Sequence, residues 1–194
     1  MMEEEYLYKR FDHVSLRPPC PLEIPSSIRG FLLPQEYTGF ISDHDGAHLI
    51  IDRSVPDLDE VHHVALFSLR EIMEGTCYRD PFGGYLGSEL TMHADFQNTW
   101  PGVRTTANDT PCGEAQKLFE RFYQEYLVIG YAWVYWDDPI RRISLLGIDK
   151  EGLFVLSDDK HIEHGLSDAW TGTPPVAWRG ASLRDLLECA WDSI

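Results

Sequence analysis

The chain has no long apolar run, and nothing in it approaches the roughly 20 residues that cross a bilayer as a helix. It is short of basic side chains, with 16 Lys and Arg against 32 Asp and Glu, for a net charge of −16. Proteins that grip phosphates need the opposite surplus, so nucleic acid and anionic membranes are poor partners. Cysteine is sparse: Cys20, Cys77, Cys112 and Cys189 stand far apart without a CxxC pair. The even count permits disulfides, but nothing else in the sequence points to an oxidising compartment, so four free or buried thiols are expected. There is no GxSxG, and FGGYLG at 82–87 lacks the spacing and the lysine of a phosphate loop. The opening MMEEEYLYKRF is acidic where a secretory signal is basic and then apolar, so a soluble, cytoplasmic chain is expected. Internal repeats and linkers are absent too, so residues 1–194 read as one domain.

What is present supports a packed core: 43% of residues are hydrophobic and 12% aromatic. In FLLPQEYTGFISDHDG (31–46), Pro34 fits the first turn of a helix, with Leu33 a poor cap before it. Tyr37, Phe40 and Ile41 then share a face, and Asp45-Gly46 supplies the stop. AHLIID (47–52) and VHHVALF (61–67) read as strands. Ser68 and Glu71 form a capping box for a short helix ending at Gly75. Residues 76–113 read as a long loop. Thr110-Pro111 then starts a helix whose stripe is Leu118, Phe119, Phe122, Tyr123 and Tyr126. LVIGYAWVYW (127–136) is a strand, DDPIRR a turn, and ISLLGI (143–148) the returning strand. Asp149 to Gly152 turns the chain into LFVL (153–156). A polar loop over 157–180 precedes a final amphipathic helix with Leu183, Leu186, Leu187, Ala190, Trp191 and Ile194. This order predicts an α+β domain with a mainly antiparallel sheet flanked by helices.

Chemistry-bearing clusters are few. His161, Glu163 and His164, after Asp158 and Asp159, are the best metal-like group, with a solvated polar loop as the competing reading. A metal-dependent enzyme using that cluster therefore stays an alternative. The deaminase pattern is excluded, because Pro111-Cys112 lies upstream of His161 and no second cysteine follows in register. His62 and His63 lie near Asp57, Asp59 and Glu60, but adjacent strand residues point to opposite faces, so at most one joins a cluster. Trp133 and Tyr135 alternate with Val134 and Trp136, making both strand faces bulky. One face packs on helices and the other is either a covered second face or a binding patch.

Taken in order, these pieces resemble the SUKH superfamily, which includes bacterial immunity proteins, a yeast cell-wall-synthesis regulator and herpesviral relatives. The resemblance rests on Leu33, Pro34, Glu36, Tyr37, Phe40 and Gly46, then VALFSLREIMEG. It continues through YLVIGYA with ISLLGIDKEGLFVL, its turn marked by Asp149 and Gly152, and ends on ASLRDLLECAW. It covers about three quarters of the chain; the 76–113 and 157–180 stretches are longer than the family's pattern, and Asp45 stands where many members carry Asn. The resemblance implies a SUKH-like binding module with no catalytic residues, no cofactor and no resident metal. Its expected partner is a basic protein, most plausibly a toxin domain such as a nuclease, or else a host protein of a viral or eukaryotic adaptor. The acid surplus independently suits a basic partner. Candidate partner-binding residues are Asp57, Asp59, Glu60, Trp133, Trp136, Asp137, Asp138, Asp158 and Asp159.

Overall fold

A computed structural model describes residues 4–19, 22–54, 60–74, 122, 124–136, 138–157 and 176–192. The first thirty residues, which carry no clear periodic signal, form α1 (Glu4–Arg10), β1 (His13–Leu16) and β2 (Ser27–Ile28). β2 turns back into β3 (Phe31–Leu32) through Arg29 and Gly30, with φ of 54° and 85°. Two successive left-handed residues make the type of tight turn whose twist matches a hairpin.

Helix α2 spans Gln35–Asp43, so Pro34 stands one residue earlier than its sequence position suggests. It is the N-cap, with extended backbone, and its carbonyl accepts the Thr38 N–H at 3.0 Å. Leu33 therefore has no capping role. Tyr37, Phe40 and Ile41 are buried, as their spacing requires. Gly46 has φ of 107°, and a Cβ there would lie 2.8 Å from the Leu66 carbonyl oxygen. Both the backbone angle and the close approach demand glycine.

β4 (Ala47–Asp52) and β5 (Glu60–Leu66) follow, then α3 (Leu69–Glu74). The capping box forms: Glu71 N–H donates to Ser68 Oγ at 3.2 Å, and Ser68 N–H to Glu71 Oε2 at 2.7 Å. The loop read at 76–113 and most of the helix read from 110, including Leu118, Phe119 and Tyr123, lie outside the described residues; of that stripe, Phe122 and Tyr126 are described and buried, with rings 4.6 Å apart. β6 is Leu127–Trp136 and β7 is Asp138–Ile148. Residues 138–142 are thus strand rather than turn. Trp136 already pairs with Asp138, and the register shifts between Val134 and Trp136, close to Pro139, which has no N–H to give a ladder.

β8 is Phe154–Ser157, and β9 is Val176–Gly180, a strand inside a stretch read as loop. Its alternation of half-buried Val176 and Trp178 with exposed Ala177 and Arg179 is real but only five residues long. The last helix, α4, spans Leu183–Asp192 and buries Leu183, Leu186, Leu187 and Ala190.

The seven main strands form one sheet in the order β1-β4-β5-β6-β7-β8-β9, every pair antiparallel. The fold is α+β. On one face lie Leu49, Val64, Leu146, Phe154 and Leu156, brought together by register. α2 covers this face, with Tyr37 edge-on to Phe154 at 6.3 Å. α4 packs on β8 and β9. Tyr6 of α1 donates to Glu188 of α4 at 2.7 Å, and Arg184 lies 4.1 Å over the Tyr6 ring. The other face carries Ala65, Tyr131, Leu145 and Val155, also buried. Phe122 reaches that side, because a Cβ on Gly147 would lie 3.1 Å from its ring. No helix among the described residues is long and apolar enough to cross a membrane.

Candidate functional site

The two ends of the sheet use their polar residues differently. At the end where α3 and α4 begin, carboxylates are absorbed by folding. Glu36 Oε2 accepts the Leu183 N–H at 2.8 Å and so caps α4 from α2. Asp45 Oδ1 accepts the Leu69 N–H at 2.6 Å. Arg17 Nη1 donates to Glu71 at 3.1 Å. Asp149 Oδ1 accepts the Glu151 and Leu153 N–H groups, both at 2.9 Å, while Oδ2 accepts from Arg179 Nε at 2.7 Å.

The opposite end holds the β4–β5 connection and the β6–β7 reversal. Pairing sets Glu60 opposite Trp136, and Trp136 opposite Asp138, so three of the candidate residues share one row across β5, β6 and β7. Trp133 lies further in, opposite His63 and Ile143. The stem of the β4–β5 connection is tied by hydrogen bonds. Arg53 N–H donates to the Glu60 carbonyl at 2.8 Å, and Glu60 N–H to Ser54 Oγ at 3.2 Å. Asp52 N–H donates to Asp12 Oδ2, and Ser54 N–H to Asp52 Oδ1, each at 2.9 Å. The Ser54 hydroxyl, then its backbone N–H, hold the Asp52 carboxyl below its ordinary range, with His13 adding a smaller pull. The Glu60 carboxylate is 2.5 Å from Nε2 of buried His62. Exposed Arg53 is the basic counterweight at this stem. Asp57, Asp59, Asp137, Asp158 and Asp159 lie outside the described residues.

The histidines divide as strand alternation requires. His62 turns to Glu60 on the helix-covered face. His63 turns to the other face, where its Nδ1 lies 3.1 Å from Nε2 of His48. They do not join one metal cluster, and no group of three or more His, Cys, Asp or Glu suited to a metal occurs among the described residues. His161, Glu163 and His164 lie outside them.

Three features escaped sequence reasoning: Asp12, Asp52 and the His48–His63 contact. Asp52 closes the strand run AHLIID, so its place at the sheet end was readable; its proximity to Asp12 depends on β1 pairing with β4. No protein-family model, curated protein or solved structure matches this chain.

Proposed function

We infer that this chain is a non-catalytic binding module, cytoplasmic and of the SUKH kind, that neutralises a basic protein such as a toxin nuclease domain. The net charge of −16 carries this reading. An acidic surface steers a cationic partner and occupies ground built for phosphates. Glu60, Trp136 and Asp138 share one row by register, and exposed Asp12 and Asp52 lie at the same end of the sheet; tryptophan is a residue type that often anchors interfaces.

The test begins with retention of partners from native lysate at low and high salt, followed by kinetics with the purified partner. The expected partner is basic, and its association slows as salt rises. Changing Asp57→Asn, Asp59→Asn and Glu60→Gln together should lower the on-rate about tenfold and flatten its salt dependence. A neutral or acidic partner, or an unchanged on-rate in that variant, would overturn the reading.

A further inference from the structure

His48 on β4 and His63 on β5 meet across the strand pair, on the face that also carries Ile50 and Asp52. Their ring planes differ by 13° and their centroids are 5.4 Å apart. With the two nitrogens 3.1 Å apart, that separation is one nitrogen–nitrogen distance plus a ring radius on each side. The nitrogens therefore point at each other along the line between the rings. This is a near-coplanar N–H···N hydrogen bond rather than a face-to-face stack. It is not a chelate either, because two nitrogens bound to one zinc must converge on a point about 2.0–2.1 Å from each.

Such a bond has a fixed proton capacity. With both rings neutral, one N–H lies between them. One added proton can sit on an outer nitrogen and strengthen the bond. A second sets N–H against N–H and places two cations in contact. Half-burial of His63 opposes its protonation first of all; the charges of His48 and His62 oppose it further, and together they push its pKa down to about 3. The groups around the pair are named by register. Ser15 of β1 and Ala65 of β5 flank His48, while Ile50 of β4 and Trp133 of β6 flank His63. The titratable neighbours are His13 opposite Ile50, Asp52 further along β4, and His62 on the reverse face with Glu60.

We propose that the His48–His63 contact is an acid-released latch between β4 and β5, closed while at least one ring is neutral and opened when both are protonated. Opening frees the β1–β4 edge from β5 and disturbs the stem that holds Asp12, Asp52 and Glu60. The latch stands independently of the partner proposed above.

Imidazole titration by NMR on the intact chain, from pH 7.5 to 2.5, is paired with amide exchange corrected for its intrinsic pH dependence. His63 should titrate well below the ordinary histidine value of about 6.5, in a step coupled to the charge on His48. Protection of the Leu49, Ile50 and Val64 amides should fall about tenfold through that transition and recover on return to neutral pH. His63→Gln and His48→Gln should each abolish the pH-linked loss, and His13→Gln should retain it. Independent titration of both rings near 6.5 with constant protection would overturn the latch. So would the same pH-linked loss in either glutamine variant at the pair. Should a glutamine variant not fold, the wild-type titration and exchange decide alone.

Discussion

Asp149 offers the sharpest test of how the β7–β8 turn is held. The residue is 8% exposed, and its carboxylate accepts two backbone N–H groups through Oδ1 and Arg179 through Oδ2. The two N–H bonds go to a charged, nearly buried acceptor, so each is worth about 1.5 kcal/mol. Arg179 keeps a side chain 46% exposed, and its ion pair is worth under about 1 kcal/mol after solvent screening. Asp149→Ala should therefore destabilise by about 3–4 kcal/mol, since it leaves both N–H donors without their acceptor. Asp149→Asn keeps a carbonyl oxygen for those donors and should cost only about 1 kcal/mol. Arg179→Ala should cost less than about 1 kcal/mol. Urea unfolding followed by tryptophan fluorescence reads all three as shifts in midpoint at constant slope. If asparagine proves as damaging as alanine, or if loss of Arg179 matches loss of Asp149, then the ion pair and not the turn bonds dominates, and the reasoning fails.

Gly46→Ala should cost more than about 2 kcal/mol, because φ of 107° and the 2.8 Å approach to the Leu66 carbonyl are both forbidden to a Cβ; a thermal melt near the wild-type value would contradict this. Glu36→Ala should cost about 1–2 kcal/mol through loss of the α4 cap, and Glu36→Gln about half as much, read by chemical denaturation. Stability should also fall with acid. His63 has a folded pKa of about 3 against an ordinary 6.5, so the unfolded chain binds this proton more readily. Its contribution is fully present above about pH 6.5 and is lost as pH drops toward 3, costing about 2 kcal/mol by pH 5. His63→Gln should remove that share of the pH dependence in denaturant titrations at pH 7 and pH 5.

Local signals were legible in the sequence and long-range ones were not. The Ser68–Glu71 capping box, the Tyr37, Phe40 and Ile41 stripe and the α4 stripe are all written within one or two helical turns. Each forms as read. β4 and β6 match their apolar runs. By contrast, β2 and β3 are two residues each and β1 is four, too short for alternation to show. Pro139 and Asp138 read as a turn because proline and aspartate disfavour strands. The pairing of Trp136 with Asp138 overrides that local preference. The Glu36 cap on Leu183 joins residues 147 apart in sequence, a bond that no local pattern announces. At the candidate site, Glu60, Trp136 and Asp138 were chosen by charge and aromatic character, whereas their common row follows from register alone.

Charge placement separates the folding motif from the surface proposed to meet a partner. At the capping end, Glu36 and Asp45 lie on the first N–H groups of α4 and α3, where the positive end of each helix dipole offsets them. Glu71 and Asp149 there are matched by Arg17 and Arg179. These carboxylates serve stability and contribute little outward field. Glu36, Gly46, Asp149 and Gly152, on which the proposed SUKH membership rests, fall at this end, so that proposal draws on groups used in folding rather than on the opposite end of the sheet. At the other end, Asp12 and Asp52 are exposed and accept backbone N–H groups of a strand and a loop, neither of which carries a helix dipole. A hydrogen bond of that kind orders a carboxylate without neutralising it, and its field still reaches about a Debye length into solvent. Substitutions at the two ends should then separate cleanly. Glu36 or Asp149 variants should change the unfolding midpoint and leave the partner on-rate intact, while Asp12→Asn with Asp52→Asn should slow association and shift the midpoint little.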